Sequence, residues 1–364
     1  PAPLMQLQSP LGPRMVVDGR EVDYFCGTSY HCLHGHPDVI EAACEATRSF
    51  GMGLGTRADV PAYKELSEAL CGYFGVEAVT YTVSGYVAPL VLLQGLQDDF
   101  QRVFVDASAH YGVGDALATL PHSIHRFAHR NPESLAQEMA RHMLPGEVPI
   151  IVTDGVFPST GALAPLADYA TILEKYDGAL MCVDDAHGVG AIGATGGGAM
   201  ELAGVRGEGR FLAGTTSKAF GGAGGFIPST QALADKLSDK VRLLAGASPP
   251  PPASAAAATI GIALLRGNAG LLSQLADNVQ RVRSGLRGLG LSIADSPVPI
   301  VSVTSGIDLE ALQQRLAAQN ILIKRVAPNG YSDAPACESL RIAVFSSHST
   351  AQIDRLITTM GNLL

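Results

Sequence analysis

The stretch GRFLAGTTSKAFGGAGG, residues 209–225, passes from an apolar strand-like segment through three hydroxyls and one lysine into a run of glycines. About thirty residues earlier, ALMCVDDAHG (179–188) runs from another apolar segment straight into two aspartates and a histidine. VPIIVTD (148–154) and RVFVDA (102–107) repeat the pattern upstream. Between them, PESLAQEMARHML (132–144) and APLADYATILEKY (164–176) carry apolar residues at three- and four-residue spacing, the second with proline in its first turn. Strands that are apolar on both faces and alternate with amphipathic helices predict an α/β fold on a mostly parallel sheet, covered on both sides.

The chain has 364 residues, 47% hydrophobic and 16% charged, with a formal net charge of −9. That length allows one large unit and a smaller one, each with a core. An acidic balance with no dense basic run excludes a nucleic-acid footprint. No apolar run reaches the roughly 18 residues of a membrane span. ASAAAATIGIALL (253–265) comes nearest, and it is short and alanine-rich. The opening PAPLMQLQSPLGPRM lacks a charged segment followed by an apolar one and predicts no signal peptide. The cysteines (Cys26, Cys32, Cys44, Cys71, Cys182, Cys337) form no CxxC pair and read as reduced thiols of a cytoplasmic protein. CLHGH (32–36) offers metal-ligand side chains, but no second cluster completes a site, so no metal is expected.

AGASPPPPASAAAA (245–258) interrupts the pattern, and a long alanine-rich helix is expected after its prolines. SQLADNVQRVRSGLRGLG (273–290) reads as helix, VPIVSVTS (298–305) as strand and DLEALQQRLAAQN (308–320) as helix. These segments predict a smaller α+β unit over 241–364, following a large unit over 36–240. Residues 1–35 read as an arm of turns and short strands.

Ligands of open α/β sheets gather beyond the carboxyl ends of the strands. Three expected strands end there on polar groups: Asp154, then Asp184 with His187, then Thr215 through Lys218. Lys218 alone would read as a solvated surface lysine. A phosphate loop needs glycines before its lysine and a hydroxyl after it, the reverse of the order here. The third reading is a Schiff-base lysine, whose amine must be accessible in its neutral form to a carbonyl. The small residues of SKAFGGAGG suit close approach of an aromatic aldehyde, which points to pyridoxal phosphate. That cofactor needs a carboxylate on its ring nitrogen, for which Asp184 is the candidate and Asp185 the reserve. His187 is near enough to serve the phenolic oxygen, and His110 in VDASAHYG offers an aromatic face. TVSGYVAPLVLLQGL (82–96) reads as strand, turn and helix, so the N–H groups of Gly85 and Tyr86 suit the phosphate. Each histidine taken singly reads as structural; together with Lys218 they read as a cofactor set. GVGAIG (188–193) fits the dinucleotide pattern GxGxxG, but DDAH separates it from its strand and no helix follows.

VDDAHGVGAIG followed by GTTSKAFGG resembles the α-oxoamine synthase family of fold-type-I pyridoxal-phosphate enzymes, whose fold is aspartate aminotransferase-like. The likeness covers nearly the whole chain, through YHCLHGHPDVIEAA, SGY, HRFAH, VTDGVF with GALAPL, and SLRIAVFSSHS. It implies pyridoxal 5'-phosphate as cofactor, with Lys218 holding it covalently and moving the α-proton of the substrate. Asp184 would pair with the ring nitrogen, His187 with the phenolic oxygen, and His110 would stack on the ring beside Asp154. Thr215 and the Gly85 and Tyr86 amides would hold the phosphate, joined by Ser248 of the partner subunit in a homodimer. Arg341 would bind the amino-acid carboxylate, where a planar bidentate donor is useful. Ser29 stands in place of the family's asparagine at that carboxylate. The implied reaction is a decarboxylative Claisen-type condensation. It joins a small amino acid to an acyl thioester, on coenzyme A or a carrier protein, and yields an α-amino ketone. The departures cluster where the substrates would bind. Tyr111 and Gly112 replace a small pair after the stacking histidine, Pro158 replaces a serine, and Asp154 is shorter than the usual acid. KRVAPNGY (324–331) replaces a proline-rich segment, and the region after GTR (55–57) lacks a histidine, with Tyr63 nearby. An aminotransferase or an aldolase-like lyase on the same scaffold is the rival reading.

Overall fold

A computed structural model describes residues 5–56, 58–304, 308–328, 331–332 and 337–364. Its strands are β1 (Arg14–Val17), β2 (Arg20–Phe25), β3 (Ala78–Thr82), β4 (Arg102–Asp106), β5 (Ser123–Phe127) and β6 (Pro149–Asp154). They continue with β7 (Leu180–Asp184), β8 (Arg210–Thr215), β9 (Gly225–Ser229), β10 (Ile300–Val303), β11 (Ile321–Val326) and β12 (Ser339–Ala343). The larger sheet has the order β3-β9-β8-β7-β6-β4-β5, and the smaller the order β1-β2-β11-β12-β10. From β8 to β5 every pairing is parallel; β9 runs antiparallel between β8 and β3. The mostly parallel sheet expected from the strand-helix alternation is therefore present.

Both faces of the sheet are covered. Ile150, Val152, Leu180 and Cys182 pack on one side with Val91 and Leu92 of helix Ala88–Leu96. Ile151, Met181 and Val183 pack on the other with Leu166 and Tyr169. Alternate residues of each strand thus enter two cores, which is why these strands show unbroken apolar runs. Strands β11 and β12 were not among those expected, and neither was β9. Pro228 lies inside it, and an interior proline ordinarily argues against a strand.

The alanine-rich segment forms helix Pro252–Gly267, which packs on helices Pro37–Phe50 and Pro61–Phe74. Small side chains also let it lie directly on the loop after Lys218. A Cβ at Gly261 would sit 1.8 Å from the carbonyl oxygen of Phe220, and one at Gly222 would meet Ala258 Cβ at 2.6 Å. Helices Gly270–Gly288 and Leu309–Ala318 and strand β10 follow the expected pattern; Ser305, at the end of the expected strand, lies outside the described residues.

The smaller sheet joins the two ends of the described chain. Asp18 and Gly19 turn the β1–β2 hairpin with φ of 48° and 75°, as an Asp-Gly two-residue turn requires. β2 then pairs in parallel with β11, Asp23 opposite Ile321. On the adjoining helix, Asn278 Nδ2 donates to the carbonyls of Phe345, Ser346 and His348 at 2.9, 3.1 and 2.9 Å, fastening the chain after β12. No single helix among the described residues is long and apolar enough to cross a membrane.

Gly261→Val should push the helix off the Phe220 carbonyl and destabilise the protein by about 1–3 kcal/mol, the usual scale of overpacking. The effect would be read as a lower urea midpoint at an unchanged slope. A wild-type midpoint would show that the close approach carries no constraint.

Candidate active site

The parallel register makes the last residues of neighbouring strands neighbours in space. Asp154 is the partner of Asp184, and Asp184 the partner of Ala213, two positions before Thr215. These strand ends and the turns beyond them enclose a cavity of about 270 Å³. Lys218, His110, Asp184, His187, Gly85, Tyr86, Thr215 and Asp154 all line it, so the sequence-predicted cofactor set converges on one place. Arg341 lies behind the wall and is fully buried. Asp185 is turned away. Its Oδ2 accepts from Ala199 N at 2.6 Å beneath a glycine-lined turn, and burial pushes its carboxyl up to about 8.

Lys218 stands among charges of both signs. Burial pushes its amine down to about 8 and nearby Arg341 adds to that, while Asp184, Asp154 and Asp185 oppose it. Burial raises the Asp184 carboxyl, countered by Lys218 and then His110. Asp154 is raised well above its ordinary range, first by burial and then by Asp184. Its Oδ2 accepts from His110 N at 2.9 Å, which fixes the start of helix Tyr111–Leu117. Ala186 N, 3.1 Å from Asp184 Oδ1, orients the other acid.

Both histidines are held neutral by burial, His187 far below its ordinary value and His110 also lowered. Tyr30 OH lies 2.7 Å from His187 Nδ1. Burial raises the Tyr30 phenol above its ordinary value, so it keeps its proton, and Arg341 is a donor toward the same oxygen, which leaves the phenol O–H for Nδ1. The ring proton of His187 is then on Nε2. His110 Nδ1 accepts from Gly112 N at 3.1 Å, which selects the same tautomer there. Gly112 is needed for a different reason than catalysis: a Cβ would come within 3.0 Å of the Tyr86 carbonyl.

At the other end of the cavity, Ser84 caps the turn before helix Ala88–Leu96, its Oγ accepting from Tyr86 N at 3.2 Å. A Cβ on Gly85 would lie 2.6 Å from Thr215 Cβ, so only glycine lets this turn rest on the end of β8. Ser217 Oγ lies 2.7 Å from Thr215 Oγ1. Amides at a helix start with two hydroxyls facing them suit a phosphate. The donor set fits the cofactor that the sequence implies: an amine of lowered basicity, a buried carboxylate, two neutral histidines and a phosphate-sized polar corner.

Pro158 lines the cavity, and its carbonyl accepts from Arg341 Nε at 2.8 Å, with Arg341 Nη1 on the Gly27 carbonyl at 3.1 Å. The proline that lacks the family's hydroxyl thus holds the guanidinium through its backbone. Ser29 is set back from the cavity. Its Oγ lies 2.6 Å from His34 Nδ1, and Thr28 forms the wall instead. Ser248 is exposed and lies outside the cavity of its own chain, beside Tyr63 and Tyr81. Sequence reasoning missed Tyr30, Thr28, Ser84 and Tyr331 as site residues and noted Ser217 only within the polar end of its strand, with no role. Ser84 before Gly85-Tyr86 was a legible helix cap, whereas Tyr30 gave no local signal, because its partner is 157 positions away. In the departing segment 324–331, Asn329 and Gly330 lie outside the described residues.

An amine lowered to about 8 is mostly free base one pH unit above that, while an ordinary lysine near 10.5 is not. In cofactor-free protein, reductive methylation at Lys218 should therefore rise tenfold per unit below pH 8 and level off above it. Peptide mass spectrometry reads this directly, with surface lysines in the same digest still rising. A Lys218 profile parallel to theirs would contradict the burial described.

Residues 28–360 match the family model described as aminotransferase class I and II. The 8-amino-7-oxononanoate synthase of Thioalkalivibrio sulfidiphilus is 33% identical over 355 residues, 96% of this chain and 90% of that one. The enzyme of that name from Nitrosococcus oceani is 33% identical over 365 residues, covering 98% and 96%. Among solved structures, Sphingomonas wittichii serine palmitoyltransferase superposes with a TM-score of 0.90 at 26% identity, over 98% of this chain and 91% of that one. A serine palmitoyltransferase solved with pyridoxal phosphate gives a TM-score of 0.91 at 24% identity, over 99% and 92%. The fold is that of the fold-type-I pyridoxal-phosphate enzymes. With a family match across nearly its whole length and relatives a third identical to it, the chain belongs to the aminotransferase class I and II family.

Proposed function

We propose that this protein is a pyridoxal 5'-phosphate-dependent acyltransferase of the α-oxoamine synthase type. It condenses a small amino acid with an acyl thioester, with loss of carbon dioxide, to an α-amino ketone. The observation that carries the reading is the convergence of Lys218, Asp184, His187 and His110 on one cavity with Arg341 directly behind it. The named relatives, 8-amino-7-oxononanoate synthase and serine palmitoyltransferase, support it.

When bound, pyridoxal phosphate supplies an aldehyde for the amine and a ring that takes up an electron pair. Lys218 holds the group covalently, and its lowered basicity lets the freed amine take the α-proton of the amino acid. Asp184 keeps the ring nitrogen protonated. The Nε2–H of His187, set by Tyr30, serves the phenolic oxygen. His110 supplies the aromatic face, positioned by Asp154. Gly85, Tyr86 and Thr215 hold the phosphate, joined by Ser217. Arg341, oriented by two backbone carbonyls, offers its remaining N–H groups to the amino-acid carboxylate.

The exposed position of Ser248, away from its own cavity, supports a homodimer in which it reaches the phosphate of the partner subunit. Six free cysteines support a cytoplasmic setting.

Lys218→Ala should abolish borohydride trapping of the cofactor; trapping at the wild-type level would reject the assignment. Asp184→Ala should retain cofactor binding yet lose α-proton exchange by at least about 10²-fold, the scale of a lost electrostatic partner. Release of free thiol and carbon dioxide from an amino acid plus an acyl thioester identifies the synthase. Amine exchange that depends on a keto acid would identify an aminotransferase instead.

A further inference from the structure

Tyr331 lines the cavity from segment 324–331, one of those that depart from the family pattern. Three contacts fix it. Its carbonyl accepts from Tyr111 N at 3.2 Å, and its ring lies 6.5 Å from that of His110, centre to centre. Lys324 Nζ donates to its hydroxyl and lies 4.7 Å from the ring centre. Lys324 is the register partner of Arg341 across β11 and β12, and directly opposed residues of an antiparallel pair share a face. Arg325, one position on, points the other way, to Glu310 and Glu338. Strand alternation thus sends one cation to a pair of carboxylates and the other to the phenol beside the cavity.

An ammonium only donates, so the Tyr331 oxygen is the acceptor in its bond with Lys324, and its own proton is left to give. Several other donors of the cavity have tasks in the proposed function: the His187 Nε2–H serves the phenolic oxygen and the Thr215 and Ser217 hydroxyls the phosphate. That leaves the His110 Nε2–H and the Thr28 hydroxyl as the alternatives to Tyr331. Arg341 spends Nε and Nη1 on carbonyls, and Pro158 has neither hydroxyl nor N–H.

We propose that Tyr331 is a further catalytic residue, donating its hydroxyl to the carbonyl oxygen of the acyl thioester, with Lys324 as its positioning residue. The inference rests on the synthase reading above. The electron pair left at the α-carbon forms the new carbon–carbon bond at the thioester carbonyl carbon, and the π pair of that carbonyl moves to oxygen. The Tyr331 O–H receives this oxyanion. When the carbonyl re-forms, the carbon–sulfur bond breaks, sulfur departs with its electron pair as thiolate, and Tyr331 retains its proton. No oxidant or reductant enters.

Two activities of the holoenzyme separate this role from a structural one. Exchange of the amino-acid α-proton in deuterated buffer needs no acyl donor, whereas condensation does. Tyr331→Phe should keep exchange within about twofold and lower kcat for condensation by about 10²-fold, as loss of one oxyanion donor does. Lys324→Met, which removes the donor that holds the Tyr331 oxygen, should keep exchange within about twofold and lower kcat for condensation by about 10-fold at an unchanged KM for the acyl donor, and Lys324→Arg should restore most of it. Condensation kept within about threefold in Tyr331→Phe, equal loss of exchange and condensation, or an unchanged kcat for condensation in Lys324→Met would each overturn the proposal. Absence of exchange in the unsubstituted protein would instead remove the synthase reading, and this step with it.

Discussion

An amine placed at the edge of a buried sheet needs compensation, and in this protein Asp154, Asp184 and Asp185 stand around Lys218 while Arg341 presses from behind. Burial leaves the amine less basic and the carboxyls more so than in water, and the attraction between them only partly offsets it. Neither sign dominates, so the pocket tolerates a ligand that brings a cationic ring nitrogen and an anionic phosphate together. The parallel register of β6, β7 and β8 creates this arrangement, since it sets the last residues of three strands abreast. Shifting one strand by a single position would reverse its side chains and dissolve the grouping.

The side of the cavity backed by Arg341 is assembled differently. Arg341 comes from the smaller sheet and is gripped by carbonyls from two other parts of the chain, Gly27 and Pro158. Tyr30 reaches His187 from the same amino-terminal segment, and His31 Nε2 lies 2.7 Å from the Gly190 carbonyl. The segment 27–31 therefore docks the smaller sheet against the larger and sets a histidine tautomer at the same time. Its hydrogen bonds occupy backbone carbonyls that would otherwise lie buried without partners.

Much of this was legible in the sequence for physical reasons. Strands buried on both faces must be apolar throughout, so β6 and β7 announced themselves, and so did the polar residues at their ends. The lysine between hydroxyls and glycines limited the chemistry because each alternative demanded a different order. Strand β9 was hidden by Pro228 and by flanking glycines, which suppress every local signal of a strand. Ser29 was assigned by position within a motif, yet its short side chain finds His34 first. Tyr331 could only be noted as part of an unusual segment. Its place beside His110 comes from the fold of a second sheet, which local periodicity does not encode.

The pairing of β2 with β11 has a consequence for the order of assembly. The earliest-synthesised strands of the smaller sheet wait some three hundred residues for their neighbour, a separation that favours slow, late closure. Apart from Thr28 and Tyr331, the residues that line the cavity lie between positions 84 and 218 and emerge from the ribosome well before Arg341. A nascent chain can therefore complete most of the cavity wall on the larger sheet before the smaller sheet that backs it exists.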